Sequence, residues 1–259
     1  MEEFRPDEVY NLAAPSVAVA AWNTAVQTGD IAGLGAVRLL EAIRCVAPQA
    51  HFYQASSSEI FGNPPETPQN EMTPFHPRNP YGMAKLYAHW ATVNYRQHHH
   101  LFAVSGIMYN HESPRRTLDF VTRKITHAAA RIKAGLENEL LLGNLDSRRD
   151  WGFAGDFVEA MWRMLNREDP QDLVIGTGET HSVREFLDEA FGYLSLDWQV
   201  YVRVDPIFFR RDESVLLQSD PRQAQQVLGW RARLPFKDLV RMMVKADLKL
   251  VGLLPPSAG

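Results

Sequence analysis

Tyr81 and Lys85 are the residue pair in this sequence whose types and spacing most directly suggest catalysis. They are four positions apart in a segment with helical periodicity, so both side chains project from one helix face and can share a ligand. A Lys ammonium lowers the pKa of a nearby phenol, and such a Tyr can remove a proton from a sugar hydroxyl while a nicotinamide accepts the hydride. The alternative is a pair without chemical function on an amphipathic helix.

A second polar cluster, Ser57, Ser58 and Glu59, follows the segment HFYQA at residues 51–55, which is predicted to be a buried strand. In a parallel α/β sheet the carboxyl ends of the strands form the functional edge, so this cluster is predicted to lie near the Tyr and Lys pair. The alternatives are a local turn for the two serines and an exposed surface carboxylate for Glu59.

Strands and helices alternate in the pattern that would position these side chains. Strands are predicted at residues 7–14, 51–55, 102–109, 139–142 and 172–176. Helices are predicted at 31–43, ending before Pro48, and at 81–96, 120–134, 154–165, 221–228 and 236–250, with another starting at the Ser182 to Glu185 capping box. This alternation predicts an α/β fold with a parallel sheet and a ligand crevice at the carboxyl ends of its strands.

Composition excludes several classes of protein. The chain has 259 residues, of which 45% are hydrophobic and 22% charged, as in a globular protein of one large or two modest domains. The single cysteine, Cys45, excludes an intramolecular disulfide and fits a reducing compartment. A formal net charge of -4 argues against nucleic-acid binding through bulk electrostatics.

No targeting or membrane-spanning segment is recognisable in the sequence, so we expect a cytoplasmic protein without membrane contact. The one low-complexity tract is His98 to His100, at a predicted helix end. Ligands adjacent in sequence seldom converge on one ion, and no metal site is expected.

Separated motifs in a fixed order then point to a family. They include YQASSSE at 53–59, PYGMAKLY at 80–87 and NHESPRR at 110–116, with further segments at 10–14, 120–124, 149–152, 205–213, 220–222 and 228–230. Together they resemble the extended short-chain dehydrogenase/reductase family and, within it, the nucleotide-sugar 4,6-dehydratases, most closely those acting on GDP-mannose. The resemblance runs from about Arg5 to Leu250, nearly the whole chain.

The resemblance implies an internal redox cycle on NADP. Tyr81, assisted by Lys85, would remove the proton of the sugar 4-hydroxyl as hydride leaves C4. The new ketone acidifies C5, Glu59 takes that proton, water leaves from C6, and hydride returns to C6. Ser57 stands where the family usually has Thr and keeps the hydroxyl that polarises O4. Glu59 separates this interpretation from the epimerases and reductases of the family, which need no base at C5.

Binding residues are implied by the same resemblance. The cofactor would be contacted by Leu12, Ala13, Ala14, Ser16, Tyr81, Lys85, His111 and Arg116. The nucleotide diphosphate would be held by Asn110, Val121, Lys124, Arg149, Arg210 and Glu213. Guanidinium groups suit a pyrophosphate because they offer planar paired donors, although any single Arg is as compatible with a solvated surface.

The chain also departs from the family pattern. Pro15 replaces the usual Gln, which removes an amide and a backbone donor, and Thr117 replaces a usual Gly. No G-x-G-x-x-G or G-x-x-G-x-x-G motif occurs, although a cofactor pyrophosphate normally rests on a Gly-rich turn. Relative to the family the opening strand and helix repeats are absent. A miscalled start, a separate polypeptide supplying the missing part, and a decayed relic remain open.

The predicted fold is therefore an N-terminally truncated Rossmann-type parallel sheet with a smaller C-terminal substrate-binding domain. Residues 1–110 with 153–176 would form the partial dinucleotide-binding domain, and residues 111–152 with 177–259 the nucleotide-sugar-binding domain. The first strand would become a sheet edge, open to aggregation or to pairing with another chain. We expect a homo-oligomer, with Arg116 near a subunit interface. The alternatives to a dehydratase are a non-catalytic nucleotide-sugar-binding fragment or subunit, and a related epimerase or reductase.

Overall fold

Strands and helices alternate along most of the chain. The structure, a computed structural model, describes residues 2–16, 20–209 and 215–254. The strands in this part are β1 (Glu8–Asn11), β2 (His51–Ser57), β3 (Ala103–Met108), β4 (Asn110–Glu112), β5 (Leu140–Leu142), β6 (Arg148–Arg149), β7 (Trp151–Phe153), β8 (Leu173–Ile175), β9 (His181–Ser182) and β10 (Val202–Val204). The α-helices are α1 (Ala25–Thr28), α2 (Gly35–Val46), α3 (Pro80–His99), α4 (Val121–Lys133), α5 (Ala154–Leu165), α6 (Val183–Gly192), α7 (Trp198–Tyr201), α8 (Arg222–Leu228) and α9 (Phe236–Leu250).

Four of the strands form a parallel sheet in the order β1-β2-β3-β8, which confirms the predicted fold class. Neighbouring residues of β2 face opposite sides of this sheet. Phe52 packs with Leu40 and Ile43 of α2 on one side. Tyr53 packs on the other side with Phe157 of α5, in a core that also includes Met161, Leu173 and Trp230. Helices therefore cover both faces, as a buried parallel sheet requires.

Gly106 in β3 lies where two layers approach too closely for a side chain. A Cβ atom at this position would lie 2.1 Å from the Tyr53 hydroxyl oxygen. That hydroxyl donates a hydrogen bond to the sulfur of Met108 at 3.1 Å, which fixes the position of the ring. The glycine is thus required by packing at the centre of the sheet.

A second core lies in the C-terminal half of the chain. It combines apolar residues of α4, α6 and α9 with the parallel pair β5 and β10, and Phe186 and Phe191 are among its fully buried members. Arg123 of α4 and Asp247 of α9 form a buried ion pair across it. This core carries the shorter strands that complete one side of the ligand cleft.

The predicted elements agree with the observed ones except near the N-terminus. The helix predicted at 31–43 is divided into a π-helical segment, Gly29–Leu34, and α2. Gly33 packs tightly on α3 here, because an added Cβ would lie 3.3 Å from the ring of Tyr87. The capping box is confirmed, since Ser182 accepts from the Glu185 backbone N–H and the Glu185 side chain accepts from that of Ser182. The three-residue strands β5 and β8 were predicted, whereas β4, β6, β7, β9 and β10 were not.

Strand β1 lies at an edge of the four-stranded sheet within the described residues, as expected. Tyr10 on this strand and Leu12 just after it are both exposed. The described helices include none that combines the length and the apolar character needed to cross a bilayer.

Candidate functional site

The carboxyl ends of β2 and β3 open into a cleft of about 510 Å³. β2 ends at Ser57, and the 3-10 turn Ser58–Ile60 that follows brings Glu59 to the cleft wall. Helix α3 places Tyr81 in its first turn and Lys85 one turn further, so both reach the same cleft. The two polar clusters of the sequence therefore meet at the predicted edge of the sheet.

Most of the residues expected to bind ligands line this cleft. They are Leu12, Ala14, Ser16, Ser57, Glu59, Tyr81, Lys85, Asn110, His111, Arg116, Val121, Lys124 and Arg149. Ala13 is not among the residues that line the cleft, and its contact with the cofactor stays a prediction. Leu12, Ala14 and Ser16 line the cleft just beyond the end of β1. Arg210 and Glu213 lie outside the described residues.

Glu59 is held by hydrogen bonds at both its side chain and its backbone. Its Oε2 accepts a hydrogen bond from Asn79 Nδ2 at 2.8 Å, and its backbone N–H donates to Ser57 Oγ at 3.2 Å. The side chain is half-buried in the cleft wall. A carboxylate fixed in this way can act as a general base towards a ligand in the cleft.

Tyr81 is more basic than expected. Burial raises its pKa to about 12, and the negative charge of Glu59 acts in the same direction, against a hydrogen bond from Ser57. The sequence predicts instead that Lys85 lowers this pKa. The Lys85 Nζ lies 5.7 Å from the centroid of the Tyr81 ring, so the ammonium does not offset the loss of water around the phenol.

Lys85 is almost fully buried, with 2% of its surface exposed. Burial lowers its pKa to about 8, because the charged form has lost its water. Nζ donates to the backbone carbonyl of Ala55, at a distance of 2.7 Å. An ammonium has three N–H donors, so this contact leaves two for a ligand.

His111 and Arg116 lie on the segment after β3, where the cleft turns towards the C-terminal half. His111 Nδ1 lies 2.9 Å from the carbonyl oxygen of Tyr109, and burial lowers the pKa of its ring. The Arg116 guanidinium carbon stacks 3.3 Å from the centroid of the Phe120 ring, and its Nε lies 3.3 Å from the buried Glu112 carboxylate. Arg116 is thus oriented by two neighbours within the cleft wall.

The far end of the cleft is lined by Asn110, Val121, Lys124 and Arg149. Lys124 Nζ donates to the backbone carbonyl of Leu141 at 2.7 Å and lies 4.3 Å from the centroid of the Phe208 ring. Burial lowers the pKa of Lys124. Two cationic side chains at one end of a cleft suit an anionic group such as a diphosphate.

Asp150, next to Arg149, joins three segments behind this end of the cleft. It is fully buried, and its carboxylate accepts hydrogen bonds from the backbone and side chain of Thr177 at 2.9 and 2.7 Å. It also accepts from Ser219 Oγ at 2.5 Å and from the backbone of Gly178 at 3.2 Å. We call these residues the Asp150 cluster. Together they fix the strand segment that carries Arg149.

The structure also places residues at the cleft that were not assigned from the sequence. Glu112 and Phe208 line it, and Asn79 holds Glu59. Ser56 lines it as well, 3% exposed, with no hydrogen-bond partner for its Oγ among the described residues. Ser56, Asn79 and Glu112 fall within or beside the quoted motifs, so their position in these motifs was the available signal.

The nicotinamide end of a dinucleotide fits this cleft. Buried Lys85 has donors left over, and Ser56 offers an unpartnered hydroxyl, which are the groups that a ribose and a carboxamide need. Among the described residues there is no group of three or more His, Cys, Asp or Glu side chains suited to hold a metal ion.

Comparisons with known proteins agree with this geometry. A profile of the family "GDP-mannose 4,6 dehydratase" matches residues 1–243. The chain is 53% identical to GDP-mannose 4,6 dehydratase 2 of Arabidopsis thaliana, covering 96% of this chain and 68% of the relative. It is 46% identical to GDP-mannose 4,6 dehydratase of Homo sapiens, covering 97% and 73%.

Among solved structures, RMD from Pseudomonas aeruginosa complexed with NADPH superposes with a TM-score of 0.88 at 24% identity, covering 95% of this chain and 83% of the other. The dTDP-glucose 4,6-dehydratase of Bacillus anthracis gives a TM-score of 0.81 at 19% identity, covering 95% and 74%. These two likenesses establish the fold. The family profile and the identity to the curated relatives, over nearly all of its length, establish that the chain belongs to the GDP-mannose 4,6-dehydratase family.

Proposed function

We propose that this chain converts GDP-mannose to GDP-4-keto-6-deoxymannose by a hydride cycle on NADP. The observation that carries the proposal is the meeting of Ser57, Glu59, Tyr81 and Lys85 in one cleft at the carboxyl edge of the sheet. Tyr81 and Lys85 alone would suit any oxidation of a sugar hydroxyl. Glu59 adds the second base that removal of water requires, and it favours a dehydratase over an epimerase or reductase.

The first half of the reaction uses Tyr81 as base and Ser57 as hydrogen-bond donor. Tyr81 accepts the proton of the sugar 4-hydroxyl, while Ser57 fixes the oxygen that becomes the ketone. The ammonium of Lys85 stabilises the phenolate electrostatically and binds the cofactor ribose. NADP, held by Lys85 and the other residues proposed to contact it, would supply the hydride acceptor for C4 and the hydride donor for C6.

The second half uses Glu59. Once C4 is a ketone, the C5 proton is acidic, and Glu59 removes it as the C6 hydroxyl departs. The protons taken up by Tyr81 and Glu59 are returned, one with the leaving hydroxyl as water and one to C5. With hydride delivered to C6, the net change is the loss of one water from the nucleotide sugar, and no cofactor is consumed.

The residues at the two ends of the cleft determine the proposed orientation of the ligands. Lys124 and Arg149, with Asn110 and Val121, would hold the GDP diphosphate, and Arg210 and Glu213 belong to the same part of the proposal. His111 and Arg116, with residues 12, 14 and 16, would contact NADP. In this assignment residues 1–110 with 153–176 form the cofactor-binding domain and residues 111–152 with 177–259 the nucleotide-sugar-binding domain. Asn110, His111 and Arg116 lie at the boundary, so each contacts the ligand of the other domain.

We also propose a homo-oligomer located in the cytoplasm. Met83, Tyr87 and Trp90 lie on one face of α3 and are each about half exposed, at 51, 51 and 50%. A row of large apolar side chains on a helix surface is typical of a contact with another protein. Arg116 near that contact is part of the proposal. The single cysteine supports a reducing compartment.

Mass spectrometry of GDP-mannose incubated with the purified protein and NADP tests the activity. Loss of one water from the nucleotide sugar is the expected result. A folded protein that binds GDP-mannose without turnover would support the alternative of a non-catalytic binding subunit. A product epimerised without loss of water would contradict the dehydratase assignment. The variant Glu59→Gln, which keeps size but not basicity, is the matched control.

A further inference from the structure

Asn79 joins Glu59 to the first turn of α3 through the two ends of one amide. Its Oδ1 accepts a hydrogen bond from the backbone N–H of Gly82 at 2.8 Å, which caps the helix. Its Nδ2 donates to Glu59 Oε2, also at 2.8 Å. The residue that fixes the start of the helix carrying Tyr81 therefore also holds the second carboxylate of the cleft.

A close backbone contact also holds the turn carrying Glu59 against the start of α3. A Cβ atom added at Gly82 would lie 2.6 Å from the backbone oxygen of Glu59. The turn carrying Glu59 is therefore pressed against the first turn of α3, with only a hydrogen atom between them. Two independent contacts, one of side chains and one of backbone, fix the position of Glu59 relative to Tyr81.

We propose that Asn79 is a positioning residue for the dehydration step, holding the Glu59 carboxylate at the distance from Tyr81 that the C5 proton requires. The inference rests on the function proposed above. A Glu side chain that is free to rotate samples several rotamers, and a small misplacement of a catalytic group costs much of its rate. The amide occupies Oε2 and leaves Oε1 available to the substrate.

The choice of Asn is informative, because other capping residues cannot do both tasks. Ser and Asp cap helices about as well as Asn. A Ser hydroxyl is too short to replace the amide at Glu59, and an Asp carboxylate has no N–H to donate and would repel Glu59. Asn79→Ser and Asn79→Asp therefore keep the cap and remove the contact with Glu59.

The test separates the two halves of the reaction in a single turnover followed at the absorbance of the reduced cofactor. In both variants we expect oxidation at C4 at the wild-type rate and loss of water slowed by about 10- to 100-fold. Reduced cofactor should therefore accumulate transiently, as it should in Glu59→Gln, while the midpoint of thermal unfolding falls by no more than a few degrees. A purely structural cap would slow both halves together, because Tyr81 and Lys85 lie on α3.

Asn70→Ser is the matched control. Asn70 Oδ1 also accepts a backbone hydrogen bond, from Met72 at 2.8 Å, and its side chain does not line the cleft. This variant should behave as wild type in both halves. Wild-type behaviour of Asn79→Ser and Asn79→Asp would overturn the role of Asn79, and so would equal slowing of both halves.

A second readout does not depend on turnover. The side-chain amide signals of Asn79 in a nitrogen-15 NMR spectrum, assigned by their loss in Asn79→Ser, should shift in Glu59→Gln. They should not shift in Glu168→Gln, a change at an exposed position. Unchanged signals in Glu59→Gln would overturn the inference. A wild-type protein that reduces no cofactor with GDP-mannose contradicts the proposed function itself, and the role of Asn79 in dehydration falls with it.

Discussion

The Lys85 ammonium lies 5.7 Å from the centre of the Tyr81 ring and donates its hydrogen bond to the carbonyl of Ala55 instead. The pair thus shares a cleft without a hydrogen bond between the two side chains. Burial also lowers the pKa of Lys85 itself to about 8. Any lowering of the Tyr81 pKa that the reaction needs must therefore come from the bound ligands.

Tyr81 should remain protonated in the ligand-free protein well above neutral pH. Its pKa is raised to about 12, so the phenolate forms only as the pH approaches that value. Ultraviolet titration of wild type minus Tyr81→Phe should show no ionisation below about pH 11. Addition of NADP should lower the midpoint, because the oxidised nicotinamide ring is a cation. Ionisation near pH 9 without ligand would contradict this expectation.

Lys85 should make stability depend on pH in a defined window. Its folded pKa of about 8 lies below its ordinary value of 10.5, so the unfolded chain binds more protons between these values. The free energy of unfolding of wild type should therefore rise relative to that of Lys85→Met from pH 8 to pH 10.5, by up to about 3 kcal/mol. Urea denaturation of both proteins at several pH values measures this, and a constant difference would count against it.

Gly106→Ala should destabilise the sheet by about 1–3 kcal/mol or more, because the new methyl group meets the Tyr53 ring. The cost should be smaller in a Tyr53→Phe background, which removes the nearest atom. Chemical denaturation of the two single variants and the double variant gives this coupling. Gly192→Ala is the control, since a Cβ there meets nothing within 4 Å. Equal costs in both backgrounds would show that the Tyr53 hydroxyl is not the obstacle.

Trp90→Glu should reduce the oligomeric state without unfolding the protein, because it places a charge in the exposed apolar row of α3. Light scattering at several protein concentrations measures the assembly. Leu136→Glu changes a residue with similar exposure, 56%, on a turn outside this row, and should leave the assembly intact. A wild-type protein that is monomeric at high concentration would contradict the proposed interface.

Long elements could be predicted from the sequence because their signals are local. The boundaries of α5 and α9 agree with the predicted residues 154–165 and 236–250, since both helices have a clear apolar face. Strands β6 and β9 could not be predicted. Each has two residues, and their pairing joins Arg149 to His181, a contact that no local pattern encodes.

The site shows the same division between local and non-local information. The motifs located Ser57, Glu59, Tyr81 and Lys85 in one cleft. They did not give the direction of the Tyr81 pKa, because a sequence shows that a Lys is near but not how much water burial removes. They also did not reveal Asn79 as a partner of Glu59, because a helix cap accounts for an Asn before a Pro without further explanation.

The Asp150 cluster has a consequence for the order in which the protein can be completed during synthesis. Its carboxylate is buried, and one of its partners, Ser219, lies 69 residues further along the chain. Until Ser219 has left the ribosome, Asp150 lacks two of its donors, and a buried carboxylate with missing donors is costly. The segment carrying Arg149 should therefore reach its native structure late in synthesis. A nascent chain arrested before Ser219 should leave the end of its cleft that carries Arg149 sensitive to proteases, while the sheet around β2 and β3 is already protected.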